Sequence, residues 1–295
     1  MTAAVPAPGD ILLTVPNVSE GRDAARIATI GDAFTSTGAR LLDVHSDPDH
    51  HRSVFTLAGD SARVVSALVA GARACTELID LREQRGSHPH VGVLDVAPVV
   101  HLDAARRGPA CAAALVAGEE LGRAGLPVLL YGTLAGGRSR AQLRQGGLAG
   151  LTERIVAGEL APDFGPRDPD PRTGAVLVGA RAPLVAFNVE LAASATLDDA
   201  RAIAALIREG GREGLPGVRA IGIELAARGR PVAQVSTNVE DHRRTTLAQL
   251  VEAVARHAAI TGCELVGLAP QAAFERFPDD LAVANRRTLE DALSS

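Results

Sequence analysis

The feature that most constrains this chain is an order of hydrophobic periodicities that occurs twice. Apolar residues spaced by two, or in short unbroken runs, indicate strands, and returns every three to four residues indicate helices. By this rule the first half reads as strands at 11–18, 40–45, 53–58 and 91–100 with helices at 22–37 and 61–80. The second half reads as strands at 184–191, 218–225, 232–238 and 263–269 with helices at 197–209 and 244–260. Both halves spell βαββαβ, the split βαβ order of ferredoxin-like folds, in which two helices cover one face of an antiparallel sheet. The expected fold is therefore α+β, with two ferredoxin-like (βαββαβ) subdomains, residues 8–182 and 183–295, packed with a ligand cleft or tunnel between them. A helix at 104–124 and a strand at 127–131 extend the first unit. The stretch 161–174 carries Pro162, Pro166, Pro169 and Pro171, which exclude a helix or a central strand, so it reads as a linker.

Composition removes several kinds of chemistry. The chain has no lysine, so all 30 of its basic residues are arginines. Schiff bases, pyridoxal phosphate attachment and a Walker-type phosphate lysine all need a primary amine and are excluded. With 35 acidic residues the formal charge is −5, and no segment is dense enough in arginine to act as a nucleic-acid footprint. The three cysteines, Cys75, Cys111 and Cys263, lack CxxC spacing and sit in apolar contexts, which favours small buried thiols in a reducing compartment over nucleophiles. Residues 1–10 show no leader pattern and no apolar run approaches the ~20 residues of a membrane span. A cytoplasmic protein without membrane or nucleic-acid partners is expected.

The candidate chemistry lies in two histidine-rich loops. DVHSDPDHHR, from Asp43 to Arg52, holds His45, His50 and His51, and GSHPH, from Gly86 to His90, holds His88 and His90. Pro89 biases His88 towards extended backbone, and an imidazole titrating near neutrality can both take and return a proton. A surface histidine is the plain alternative. A zinc or iron site built from these histidines with Asp47 or Asp49 is a third reading, although alternate residues of an extended segment point to opposite sides. In the turn VPNVSEG at 15–21, Asn17 and Ser19 can cap the following helix or, with its N–H groups, hold an anion.

Several segments together resemble a known family. VPNVSEGR at 15–22, LLDVHSDPDHHRSVFTLAG at 41–59, GSHPHVGVLDVAPV at 86–99, APDFGP at 161–166, VGARAPLVAFNVEL at 178–191, AQVSTNV at 233–239 and LVGLAP at 265–270 occur in the order found in the formiminotransferase domain of formiminotransferase-cyclodeaminase and its stand-alone bacterial relatives. The resemblance covers nearly the whole chain but only the transferase part of the bifunctional protein. It implies transfer of a formimidoyl group from N-formimidoyl-L-glutamate to N5 of tetrahydrofolate, a co-substrate, with no metal, in a homodimer of two α/β subdomains. The family's Gly-x-His-Pro motif is matched by Gly86, His88 and Pro89, which implies His88 as the general acid/base. Its folate segment corresponds to Gly165, Pro166, Arg167, Asp168, Pro169, Asp170, Pro171, Arg172, Thr173 and Gly174. Asn17, His45, Arg52 and Arg181 are further candidate substrate-binding residues, with Arg22 and Arg172 as additional carboxylate ligands and Asp43, Asp47 or Asp95 to stabilise the cationic amidine. His45, His51, His90 and Thr133 depart from the family's pattern. That leaves two alternatives: a diverged folate-binding paralogue acting on another formyl or formimidoyl donor, or a metal-dependent amidine hydrolase.

Overall fold

The structure, a computed structural model, describes residues 11–86, 89–225 and 231–295. The chain divides into two compact units, residues 1–182 and 183–295.

In the first unit the elements run β1 (Leu12–Thr14), β2 (Asn17–Val18), α1 (Ala24–Thr35), β3 (Arg40–Asp47), β4 (Arg52–Gly59), α2 (Ser61–Leu78), β5 (Leu94–His101), α3 (Arg107–Arg123), β6 (Val128–Leu130), α4 (Arg140–Leu143), α5 (Gly147–Val156) and β7 (Val176–Arg181). The first expected strand is thus two short pieces. Pro16 lies between them and has no N–H to donate to a ladder. The sheet places β3 at one edge, then β4, then β1 and β2 as successive pieces beside both β4 and β5, then β7 and β6. Its first four positions are antiparallel, as the ferredoxin-like pattern requires. The pairs β5–β7 and β6–β7 are parallel, with Leu177 opposite both Val96 and Leu129, so the sheet is mixed and not purely antiparallel.

Aromatic residues are scarce, so aliphatic side chains build the interior. Val64, Leu68 and Ala72 of α2 and Ala110, Ala114 and Leu121 of α3 pack with Phe55, Leu57, Leu94 and Val99 of the sheet. Phe34 of α1 meets Phe55 at 5.1 Å between ring centroids. On the opposite face, at one end, Leu143 of α4 and Leu151 and Ile155 of α5 pack on Val96, Leu129 and Leu177. Successive strand residues face opposite sides. Because Phe55 and Leu57 belong to the helix-side core, Arg52, Val54 and Thr56 face away from it, with His45 paired to Val54 and Asp47 to Arg52.

Helix α1 starts later than the periodicity suggests. Its cap is Asp23, whose Oδ1 accepts from the N–H groups of Ala25 at 3.0 Å and Arg26 at 3.1 Å. Ser19 does not cap it, since its Oγ donates to the Gly92 carbonyl at 2.8 Å.

The second unit contains β8 (Val185–Leu191), α6 (Leu197–Ile207), β9 (Val218–Leu225), β10 (Val232–Val239), α7 (Leu247–Ala255), β11 (Ile260–Val266), β12 (Val283–Ala284) and α8 (Leu289–Ser294). Its strand order β12-β11-β8-β10-β9 repeats the first unit's arrangement of fourth, first, third and second strands, with β12 added in parallel at the edge. Helix α7 is shorter than expected, because Thr246 and Gln249 form a capping box that sets its start.

Candidate active site

The first sheet's second face carries a buried ionic cluster. Asp95 of β5 is wholly buried. Its Oδ1 accepts from the Val91 N–H at 2.8 Å and its Oδ2 from Arg52 Nη1 at 2.8 Å. Arg144, which caps the C-terminal end of α4, also donates to Asp95 Oδ2. Arg52 spends its remaining fork on Asn17 Oδ1, from Nε at 3.0 Å and Nη2 at 2.8 Å. Asn17 is oriented in turn by donating to the Val15 carbonyl at 2.8 Å. Burial alone would raise the carboxyl of Asp95, but Arg144 and Arg52 hold it far below the usual carboxylate range. Burial pulls the guanidinium of Arg52 down to about 10, with Asp95 opposing that shift and Arg144 adding to it.

A second group of contacts ties three loops together beside this cluster. Gln84 donates to the carbonyls of Ser19 at 3.1 Å and His51 at 2.8 Å, while its Oε1 accepts from the Gly86 N–H at 2.8 Å. The loops approach so closely that a Cβ on Gly86 would collide with the His50 carbonyl, and one on Gly21 with the Asp47 carbonyl and Arg52 N–H. Glu20, almost fully buried, accepts from the N–H groups of Arg22 at 2.8 Å and Asp23 at 3.1 Å, and lies 3.1 Å from His51 Nε2. Burial raises its carboxyl, but the two backbone donors and His51 outweigh that and leave it below its ordinary value. His51 holds this contact from a left-handed backbone, φ 51°.

The structure brings Asn17, Arg52 and His45 onto one face, half-buried His45 lying across β4 from Asn17 through Val54. His88 lies outside the described residues. Arg181 is not part of this group: it pairs with Val100, five positions along β5 from Asp95, or about 16 Å at the rise of a strand. Segment 165–174 is anchored at two separate places. Gly165 lies against Gly122 and Leu126 at the end of α3. The second half closes on itself through Asp170, which accepts from Arg172, Thr173 and Gly174, while the carbonyls of Arg172 and Thr173 take the N–H groups of Leu81 and Val93. Only this second half adjoins the turn at Val91 that donates to Asp95. Pro166, Arg167, Asp168, Asp170 and Pro171 are exposed and Pro169 is buried.

Several charges are committed elsewhere. Asp95 is held by two guanidiniums, which excludes the amidine-stabilising role expected of it. Arg22 donates to the carbonyls of Pro48 and Arg85, and Arg172 to that of Glu77. Among the described residues no group of three or more His, Cys, Asp or Glu side chains is arranged to hold a metal ion. Cys75 and Cys263 are buried and Cys111 half-buried, and burial pushes the Cys263 thiol up to about 12. An apolar groove between α2 and α3, rimmed by Arg73 and Glu120, lies on the helix side, away from these residues. No helix among the described residues is long and apolar enough to cross a membrane.

Arg144 and Gln84 escaped sequence reading. Arg144 is 49 residues from Asp95 and Gln84 is 65 from Ser19, and no local spacing signals such pairings.

Comparison with known proteins now bears on this geometry. Residues 11–181 match the formiminotransferase domain, N-terminal subdomain, and residues 186–279 match the formiminotransferase domain. The chain is 39% identical to formimidoyltransferase-cyclodeaminase of Sus scrofa over 87% of its length and 49% of that protein's, so it spans about half of such curated relatives. It is 35% identical to glutamate formimidoyltransferase of Streptococcus pyogenes serotype M1, covering 88% of this chain and 89% of that one. It is 36% identical to the protein of the same name in Thermoplasma acidophilum, covering 88% of each. With both halves matched in order and relatives of similar length aligned nearly end to end, the chain belongs to the formiminotransferase family.

Proposed function

We propose that this protein transfers a formimidoyl group from N-formimidoyl-L-glutamate to N5 of tetrahydrofolate, giving 5-formimidoyltetrahydrofolate and L-glutamate. The observation that carries the reading is the near end-to-end similarity to proteins named glutamate formimidoyltransferase. In this reading the two compact units are the N-terminal and C-terminal formiminotransferase subdomains, 8–182 and 183–295, and the enzyme works as a cytoplasmic homodimer on two small-molecule substrates.

The reaction exchanges one C–N bond for another. N5 attacks the amidine carbon, a tetrahedral centre forms, and the glutamate nitrogen departs with a proton. His88 is assigned to both proton transfers, accepting from N5 and delivering to the leaving nitrogen, while the bound substrates supply the proximity that lowers the entropic barrier. Neither step changes an oxidation state. Asn17, held by the Val15 carbonyl and Arg52, and His45 on the same face are assigned to substrate binding. The 165–174 segment is assigned to the folate, which suits its exposed residues held between two fixed ends.

Purified protein mixed with formimidoylglutamate and tetrahydrofolate should release glutamate in step with formation of the folate product. Absence of turnover with any formimidoyl or formyl donor rejects the reading. His88→Ala should lose a factor of about 10²–10⁴ in kcat while still binding reduced folate. Undiminished kcat removes His88 from the mechanism.

A further inference from the structure

Two guanidiniums meet at one buried carboxylate on the first sheet's second face, and a third lies close by. Arg52 reaches Asp95 from β4 and Arg144 reaches the same oxygen from α4. Arg140, one turn before Arg144, carries its guanidinium carbon 5.6 Å from the centroid of the Tyr131 ring and is near enough to repel Arg52. Arg144, with its side chain 13% exposed, shares the one carboxylate oxygen of Asp95 with Arg52, and buried charges are normally fully paired. Two polar atoms in the same neighbourhood, Arg144 Nε and Tyr131 Oη, are buried without a hydrogen-bond partner. Tyr131 is only 6% exposed, so solvent does not readily satisfy it. A guanidinium that shares its carboxylate and keeps an unsatisfied Nε is suited to bind an anion.

We propose that Arg144, supported by Arg52 and Arg140, forms the subsite for a carboxylate of the amino-acid donor. This rests on the formimidoyl-transfer reading and adds to it the residues that select the donor. A planar guanidinium fork matches a carboxylate with two parallel bonds, which explains arginine in preference to a point-like cation. The donor is favoured over the folate tail by reach. In formimidoylglutamate the α-carboxylate lies three bonds from the reacting carbon, whereas the tail of the folate is separated from N5 by most of that molecule. Arg144 shares the face of Asn17 and His45, so an anion held there is close to groups assigned to the reacting end. The donor carries two carboxylates and one amidinium, a net negative charge that complements the arginines. Asp95 then acts as a positioning residue that splays the two arginines and leaves one fork edge to the ligand.

The test compares Arg144→Gln and Arg144→Lys with the parent enzyme. Arg144→Gln should raise KM for formimidoylglutamate about ten- to hundredfold, the loss of one charge-assisted hydrogen bond, with KM for tetrahydrofolate within about twofold. Arg144→Lys should recover part of that loss. N-Formimidoyl-γ-aminobutyrate, which lacks the α-carboxylate, should be a poorer donor for the parent and nearly equal to the full donor for Arg144→Gln. A folded Arg144→Gln with unchanged donor KM overturns the proposal, and a rise confined to tetrahydrofolate overturns it in favour of the folate tail. If Arg144→Gln does not fold, Arg140→Gln takes its place with the same donor-specific loss expected and the same results overturning it. Thermal shift by L-glutamate alone separates the two levels of inference. A parent protein that transfers nothing but is stabilised by glutamate, while Arg144→Gln is not, keeps the subsite and rejects the transferase.

Discussion

The first and second units bury a carboxylate on the same strand of the same topology, yet surround it differently. Asp95 is on β5 and Glu264 on β11, each the fourth strand in its βαββαβ order, and each lies beside an asparagine of the first strand, Asn17 or Asn188. In the second unit, Asn188 donates to Glu264 Oε2 at 3.3 Å and Asn285 to Oε1 at 3.5 Å. In the first unit, Arg52 stands between Asp95 and Asn17, and Arg144 comes from the helical insert between β6 and β7. That insert, with α4 and α5, has no counterpart between β11 and β12, where the chain makes a single turn of 3₁₀ helix at Gln271–Phe274. The repeated scaffold fixes where a carboxylate can be buried, and in the first unit the insertion brings Arg144 to it.

The largest effect expected from this contrast comes from neutralising the two carboxylates in turn. Asp95→Asn leaves Arg52 and Arg144 buried without their counter-charge and should cost about 3–5 kcal/mol. Glu264→Gln keeps an amide able to meet Asn188 and should cost about 1 kcal/mol. Urea denaturation of each variant, with hydrogen exchange to localise the loss to β4–β5 or β8–β11, measures both. Equal costs would break the contrast between the two buried carboxylates.

Acid should divide the units in the same sense. Asp95 and Glu20 have carboxyls lower in the folded protein than their ordinary values of 3.8 and 4.5. A depressed carboxyl contributes its full stabilisation above the unfolded-state value and loses it as pH falls through the folded one. Exchange protection in β2, β4 and β5 should therefore weaken as pH drops below about 4, before comparable loss in β8 and β10. Simultaneous loss in both sheets would mean these carboxylates add nothing specific to the first unit.

How much of this was legible in the sequence follows from the range of each interaction. Strand and helix order is written in local periodicity, and both βαββαβ runs were readable because each element carries its own apolar stripe. The parallel pairs of β7 with β5 and β6 were not, since register between distant strands leaves no spacing to read. The sequence offers Asn17 and Ser19 as caps of the first helix, but the path of the backbone carries Ser19 to Gly92 and leaves the cap to Asp23. Arg52 enters only with the family resemblance, as one candidate substrate-binding residue among several. Arg144 looked like one arginine among 30, and its importance appears only when α4 folds over β5. The proline-rich stretch was correctly denied regular structure, but its anchoring by Asp170 and by the Thr173 carbonyl depends on Val93, 80 residues earlier in the chain.

A smaller effect is expected at Gln84, which no charge distinguishes. Gln84→Ala removes three hydrogen bonds and leaves the carbonyls of Ser19 and His51 and the N–H of Gly86 to find water. A cost of about 1–3 kcal/mol is expected, concentrated as faster exchange at Gly86 and in the turn after β2. In the transferase reading the same variant should lower kcat more than it alters either KM, because it loosens the loop that precedes the assigned acid/base. A uniform loss of stability with normal kcat would reduce Gln84 to a fastening between loops.

The smallest effect tests whether Glu20, the other buried carboxylate of the first unit, behaves like Asp95 or like Glu264. His51→Asn removes the ring 3.1 Å from Glu20, yet asparagine tolerates the left-handed backbone that His51 occupies, so strain is not added. The two backbone N–H groups from Arg22 and Asp23, with Arg26 Nη1 at 3.5 Å, still satisfy the carboxylate. The expected cost is therefore below about 1 kcal/mol at neutral pH. Glu20 should move up towards its ordinary value in the variant, since His51 is one of the groups holding it down. The difference between parent and variant should then shrink as pH falls through the folded value of Glu20, below 4.5, where the carboxyl is protonated in both. Denaturation midpoints from pH 7 to pH 3 measure the trend. A cost of several kcal/mol that persists in acid would show that His51 supports the loop by packing and not by charge.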